Sequence, residues 1–119
     1  MTAEERQTMI GKIEALPAQL RAAIAGASEE QLARPYRQGG WNSRQVIHHL
    51  ADSHMMAYIR FKKIVTEDNP ALQAYNQDVW ASHGDGWTGP LESSLQILDG
   101  LHAHWASFLR ALPETAWSR

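Results

Sequence analysis

The run Trp41-Asn42-Ser43-Arg44-Gln45-Val46-Ile47-His48-His49-Leu50-Ala51-Asp52-Ser53-His54 places three of the chain's six histidines and an aspartate behind a Gly39-Gly40 turn. Neutral imidazole is the commonest side-chain ligand for zinc, copper, iron and nickel, so the first chemistry these residues suggest is metal binding. Helical geometry restricts the idea. Residues three and four apart share a face, which sets His49 with Asp52 and Ser53, and His48 with Asp52. His48 and His49 themselves point about 100° apart, so a straight helix offers at most one of them to a given ion. The spacing equally suits two partly buried histidines hydrogen-bonded to neighbours or water. His102 and His104, two apart, diverge as well, and His83, in Ser82-His83-Gly84-Asp85-Gly86, reads as a solvated loop residue. The sequence holds no His-x-x-x-His, His-Glu-x-x-His, phosphate-cradling Gly-rich loop or Gly-x-Ser-x-Gly elbow.

The elements that must position these residues are helices. Thr2 with Glu5 matches a capping box, and Met9, Ile10, Ile13, Leu16, Leu20 and Ile24 recur at three- and four-residue steps. Pro17 removes an amide donor and predicts a kink or short break, and Gly26 suits the left-handed residue that ends a helix. Ser28 with Gln31 caps a short turn of helix that stops before Pro35, and residues 35–41 read as a loop. Asn42 with Gln45 starts the histidine-bearing helix, whose core stripe is Val46, Leu50, Ala57, Phe61, Ile64 and Val65, running to about Glu67. Asp68-Asn69-Pro70 stops it. About twenty residues then follow, rich in Gly, Asn and Asp and punctuated by Tyr75, Trp80 and Trp87; connections this long are functional or are anchored by their own aromatics. Pro90 suits the first position of a third long helix with Leu91, Leu95, Leu98, Trp105, Leu109 and Leu112 on its buried face and Pro113 at its end. No stretch alternates like a sustained strand.

Composition sets the class and excludes others. A chain of 119 residues, 44% hydrophobic and 20% charged, is an ordinary single soluble domain with one core. Without cysteine it has no disulfide framework and no Cys-type zinc ribbon. The start Met1-Thr2-Ala3-Glu4-Glu5-Arg6 lacks a leader pattern, and no apolar run is long enough to span a bilayer, so a cytoplasmic protein is expected. A net charge of −2 with scattered Lys and Arg leaves no cationic footprint for nucleic acid.

The stretch from Gly39-Gly40-Trp41 through His48-His49-Leu50-Ala51-Asp52-Ser53-His54 to Arg60-Phe61-Lys62 resembles the second-helix signature of the YfiT-like metal-dependent hydrolases of the DinB superfamily. Thr66-Glu67-Asp68-Asn69-Pro70, Tyr75 with Trp80, and Leu101-His102 with Trp105 extend the resemblance over nearly the whole chain. It implies an all-α up-down four-helix bundle holding one divalent ion on three histidines. The position matching the second-helix ligand is His49, and the family's other two ligands form a His-x-x-x-His on a fourth helix. This sequence departs from that pattern by ending at Trp117-Ser118-Arg119, before any such helix, so a single DinB-like domain over 1–119 with three long helices and a truncated C-terminus is expected. With His49 as the one matched ligand, zinc or nickel is expected to bind weakly or not at all, since catalytic zinc sites take three protein ligands plus water.

The implied activity is metal-assisted hydrolysis, or transfer involving a low-molecular-weight thiol of the bacillithiol-transferase type, on a small-molecule substrate. Asp52 or Ser53 would tune His49 from behind it, or Asp52 is an exposed acid. Trp41 lines a pocket mouth or staples the helix entry, and Arg60 and Lys63 lie on a solvated face or meet an anionic cosubstrate. The contrasting expectation is a catalytically silent helical module that forms a homodimer through the apolar face a missing fourth helix leaves open.

Overall fold

The computed structural model describes residues 1–35, 40–72, 74–82 and 89–118. The sequence expectations at Gly39, His83, Trp87 and Arg119 lie outside the described residues. Among the described residues, five helices follow in order: α1 (Ala3–Ile24), α2 (Glu29–Ala33), α3 (Ser43–Thr66), α4 (Gln77–Ser82) and α5 (Leu91–Ala111), with a 3-10 turn at Glu114–Ser118. Among the described residues there is no strand, and Pro35 and Asn42 make an isolated antiparallel bridge.

The local signals set the helix starts. Capping boxes form at Thr2–Glu5, Ser28–Gln31 and Asn42–Gln45, each satisfying two otherwise orphaned amides. Gly26 takes φ +80°, a conformation that only glycine adopts without strain, just after the Ala25 cap. Pro90 takes the N-cap position rather than the first helical one.

Three expectations need correction. Pro17 does not break α1, which runs continuously through it with Pro17 buried. The connection after α3 is not wholly irregular, because α4 forms inside it. The face of α3 most removed from solvent is Arg44, Gln45, Ile47, His48 and Ala51, whereas Val46, Leu50 and Ala57 are half-buried and Phe61 is 37% exposed. Polar residues hold those buried positions because each finds a partner on another element, as described below.

The three long helices form the bundle, with α5 packed between α1 and α3. Its core is Ile10, Trp105, Ala106 and Leu109, joined by Ile13, Ala57, Tyr58 and Phe108. Side-chain pairs give the directions. Arg6 meets Glu114, Glu14 meets Arg110 and Arg21 meets Glu92, so α1 and α5 are antiparallel. His48 meets Ser94 and His54 meets His102, so α3 and α5 run parallel. The chain must therefore travel back along about 36 Å of α3, 24 residues at 1.5 Å each, before α5 can begin. That return path is the physical reason for the long connection between Thr66 and Leu91.

Candidate functional site

The histidines of α3 and α5 fall into two groups. His48 is buried, and both ring nitrogens are committed. The Gly89 carbonyl, which can only accept, lies 2.8 Å from Nε2, so Nε2 carries the proton and donates; Nδ1 then accepts from the Ser94 hydroxyl at 2.5 Å. The same Gly89 carbonyl accepts from Arg44 Nη1 at 3.0 Å, and Arg44 also pairs with Glu29. Gln45 caps Asn42 and donates from Nε2 to the Ala81 carbonyl at 3.1 Å. The first turns of α3 are thereby tied to α2, α4 and the start of α5. A metal ion at His48 would have to displace one of these bonds.

His49, the expected ligand, is half-buried with its ring against Trp41, centroids 4.9 Å apart and planes tilted by 60°. Neither ring nitrogen makes a hydrogen bond to another described residue. Trp41 thus meets the candidate ligand itself. Asp52, Ser53, Arg60 and Lys63 are half-buried, none of them fully on a solvated face.

His54 and His102, the latter a candidate substitute ligand on the sequence, form the second group. His54 Nδ1 lies 2.7 Å from His102 Nε2, and His102 Nδ1 lies 2.5 Å from the Ile13 carbonyl. This chain crosses the bundle from α3 through α5 to α1. Trp105 closes against both rings at 6.2 and 5.6 Å between centroids. Burial, and then the neighbouring charges of His102 and His49, hold the His54 pKa below its ordinary value. Burial also pushes His102 down, against the pull of its bond to Ile13. His104 is exposed beside Tyr58. The His102 signal was in the sequence, since it falls on the buried side of α5 between Leu98 and Trp105, but its partners come from two other helices.

Among the described residues, no group of three or more His, Cys, Asp or Glu could hold a metal ion. The described residues therefore do not fit a complete centre. Among the described residues, His49 has no companion ligands.

Comparison with known proteins bears out the resemblance. The DinB superfamily profile matches residues 12–119. A protein of Geobacillus thermodenitrificans named "Putative metal-dependent hydrolase" is 45% identical over 117 residues, which cover 98% of this chain and 66% of that protein. One of Oceanobacillus iheyensis with the same description is 47% identical over 110 residues, covering 92% of this chain and 63% of its own. The solved structure of YfiT from Bacillus subtilis, described as "a probable metal-dependent hydrolase with an unusual four-helix bundle topology", matches with a TM-score of 0.97 at 41% identity. That match covers 100% of this chain and 68% of YfiT. The chain spans about two thirds of the length of these relatives. With the profile running over nearly all its residues and YfiT superposing on all three long helices, this chain belongs to the DinB superfamily.

Proposed function

We propose that this chain carries the His49 side of a metal-dependent hydrolase or thiol S-transferase. Its cofactor is a divalent ion, zinc or nickel, and its substrate a small molecule, a low-molecular-weight thiol in the transferase case. The observation that supports this reading best is the contrast between neighbours: His48 has both nitrogens bonded to protein, whereas His49 has neither bonded to another described residue and sits beside Trp41. A histidine must offer a lone pair to bind a metal, and only the second of the pair does so without losing a hydrogen bond to a described residue. The descriptions of the relatives as metal-dependent hydrolases point the same way.

The test is metal content of protein expressed from the whole gene, without a histidine tag. His49→Ala is expected to lose the ion and His48→Ala to retain it. Retention by His49→Ala with loss by His48→Ala would overturn the assignment. Protein that binds no divalent ion in any form would instead favour the self-associating module, whose contact face would include the exposed Ile59 and Phe61.

A further inference from the structure

Pro17 has no amide proton, so the carbonyl four residues earlier in α1, that of Ile13, has no helical donor. Buried backbone carbonyls require a partner, and here the partner is the imidazole of His102, only 1% exposed, whose Nδ1 stands 2.5 Å away. A carbonyl accepts and never donates, so His102 carries its proton on Nδ1. Burial disfavours a second proton on this ring, which leaves Nε2 with its lone pair. His54 Nδ1, 2.7 Å from that lone pair, must then be the protonated nitrogen of its own ring. The far nitrogen of neutral His54, Nε2, is left bare, and no described residue hydrogen-bonds to it.

We propose that Pro17, acting through the Ile13 carbonyl and His102, pins His54 in the Nδ1–H tautomer so that Nε2 serves as the proton acceptor for the attacking O–H or S–H group. The inference rests on the hydrolase or thiol-transferase reading given above. In the step, the O–H or S–H bond of the nucleophile breaks and its electron pair stays on oxygen or sulfur. The proton forms a new bond to His54 Nε2. His54 becomes an imidazolium whose Nδ1–H remains on His102 Nε2, so that His102 and the Ile13 carbonyl stabilise the charge without taking the proton. His54 is the catalytic residue of this proposal, and His102 and Pro17 are positioning residues. A histidine pair retained for packing alone would work in either tautomer. The proline selects one, because an amide at position 17 would compete for the carbonyl that orients His102. The proton acceptor lies on α3 five residues, about 1.4 turns, beyond His49.

Nitrogen-15 NMR of histidine-labelled protein decides the tautomer directly. Wild type is expected to show His54 and His102 each protonated on Nδ1 and bare on Nε2. His102→Gln, whose side-chain oxygen can stand where Nε2 stood, should keep the His54 tautomer, and His102→Leu should release it. Pro17→Ala should give a mixture. A His54 protonated on Nε2 in wild type overturns the proposal even if His102→Leu fails to fold, and a Pro17→Ala spectrum identical to wild type removes Pro17 from it. The second arm is hydrolysis of p-nitrophenyl acetate by the metal-loaded protein. His54→Gln should lose on the order of 100-fold or more, the usual contribution of a general base, with His102→Leu following and His102→Gln rescued. Unchanged hydrolysis by His54→Gln overturns the acceptor role. A wild type that shows the pinned tautomer but hydrolyses no ester would sink the hydrolase reading, and the acceptor role with it, while leaving the pin itself established.

Discussion

Two polar networks join α3 to α5, and they end differently. Near the start of both helices, Arg44, Gln45 and His48 reach Glu29, Ala81, Gly89 and Ser94, and the network closes on itself with both His48 nitrogens bonded. Half-way along, the chain Ile13–His102–His54 closes at one end on a backbone carbonyl and at the other leaves an imidazole nitrogen unbonded to any described residue. The difference separates structure from chemistry better than burial does. A closed network holds the chain path in place, and any ligand must compete with it. An open one presents an oriented lone pair that costs nothing further to use.

The comparison breaks most visibly at His48. Replacing it with Ala strands the Ser94 hydroxyl, removes a donor from Gly89 and opens a cavity, so a loss of about 2–3 kcal/mol is expected, the usual cost of leaving buried polar groups unpaired. His54→Asn keeps a donor near the Nδ1 position and should cost no more than about 1 kcal/mol, the worth of one imperfect hydrogen bond. Urea unfolding of the two variants measures both. Equal losses would mean that the open network is as structural as the closed one.

How far this contrast was legible in the sequence depends on which elements supply the partners. The three capping boxes were readable because both members lie three residues apart in one segment. The buried side of α5 was readable because Leu95, Leu98, Trp105 and Leu109 are apolar and periodic. The buried side of α3 was not, because Arg44, Gln45 and His48 are admitted only by acceptors that arrive from α2, α4 and residue 89. The apolar stripe through Val46 and Phe61 marked a face that no described helix fully covers. Pro17 suggested a break for the right local reason, a missing donor, yet the vacancy is filled from α5 rather than by disrupting α1. Likewise the length of the connection after Thr66 was a true signal with a different cause, the return path that parallel α3 and α5 demand. His49 came from family resemblance and from the stripe Val46, Leu50, Ala57 and Phe61, which is not the most buried face of α3.

Acid should reach the middle network through a proton count. Burial lowers the pKa of His102, and burial, then repulsion from the neighbouring imidazoles when they are protonated, lowers that of His54, so both bind protons less readily in the fold than in the unfolded chain. As pH falls through the ordinary histidine value of 6.5, the unfolded state takes up protons that the folded state refuses, and stability declines with falling pH until the folded values are reached. Above about pH 7.5 the two states carry the same charge on these groups and the effect vanishes, one unit beyond the unperturbed value. Carboxylates contribute in a separate window, at and below the ordinary glutamate value of 4.5. Urea midpoints between pH 5 and 8 should therefore slope for wild type and flatten for His102→Gln. A variant as steep as wild type would place the proton uptake elsewhere.

The smallest effect belongs to a third network, on the surface between α1 and α5. Arg21 reaches Glu92 at 3.0 and 3.1 Å and Asp99 at 2.6 and 3.3 Å, a double fork that holds both carboxyls below their ordinary values. With four hydrogen bonds it outnumbers the middle histidine network, which has two. Its groups are solvent-exposed, however, with side-chain accessibilities of 36% for Arg21, 58% for Glu92 and 44% for Asp99. Water and salt therefore screen the attraction, and ordering three long side chains opposes what is left. Arg21→Ala should lower the melting temperature less than His48→Ala at low salt. The difference from wild type should disappear near 1 M NaCl, where the screening length is about 3 Å. The His48→Ala deficit, set by buried groups that salt does not reach, should persist under the same conditions. An Arg21→Ala deficit that survived high salt would mean that this fork behaves as a closed, buried network despite its exposure, and that accessibility is a poor guide to which polar contacts hold the bundle together.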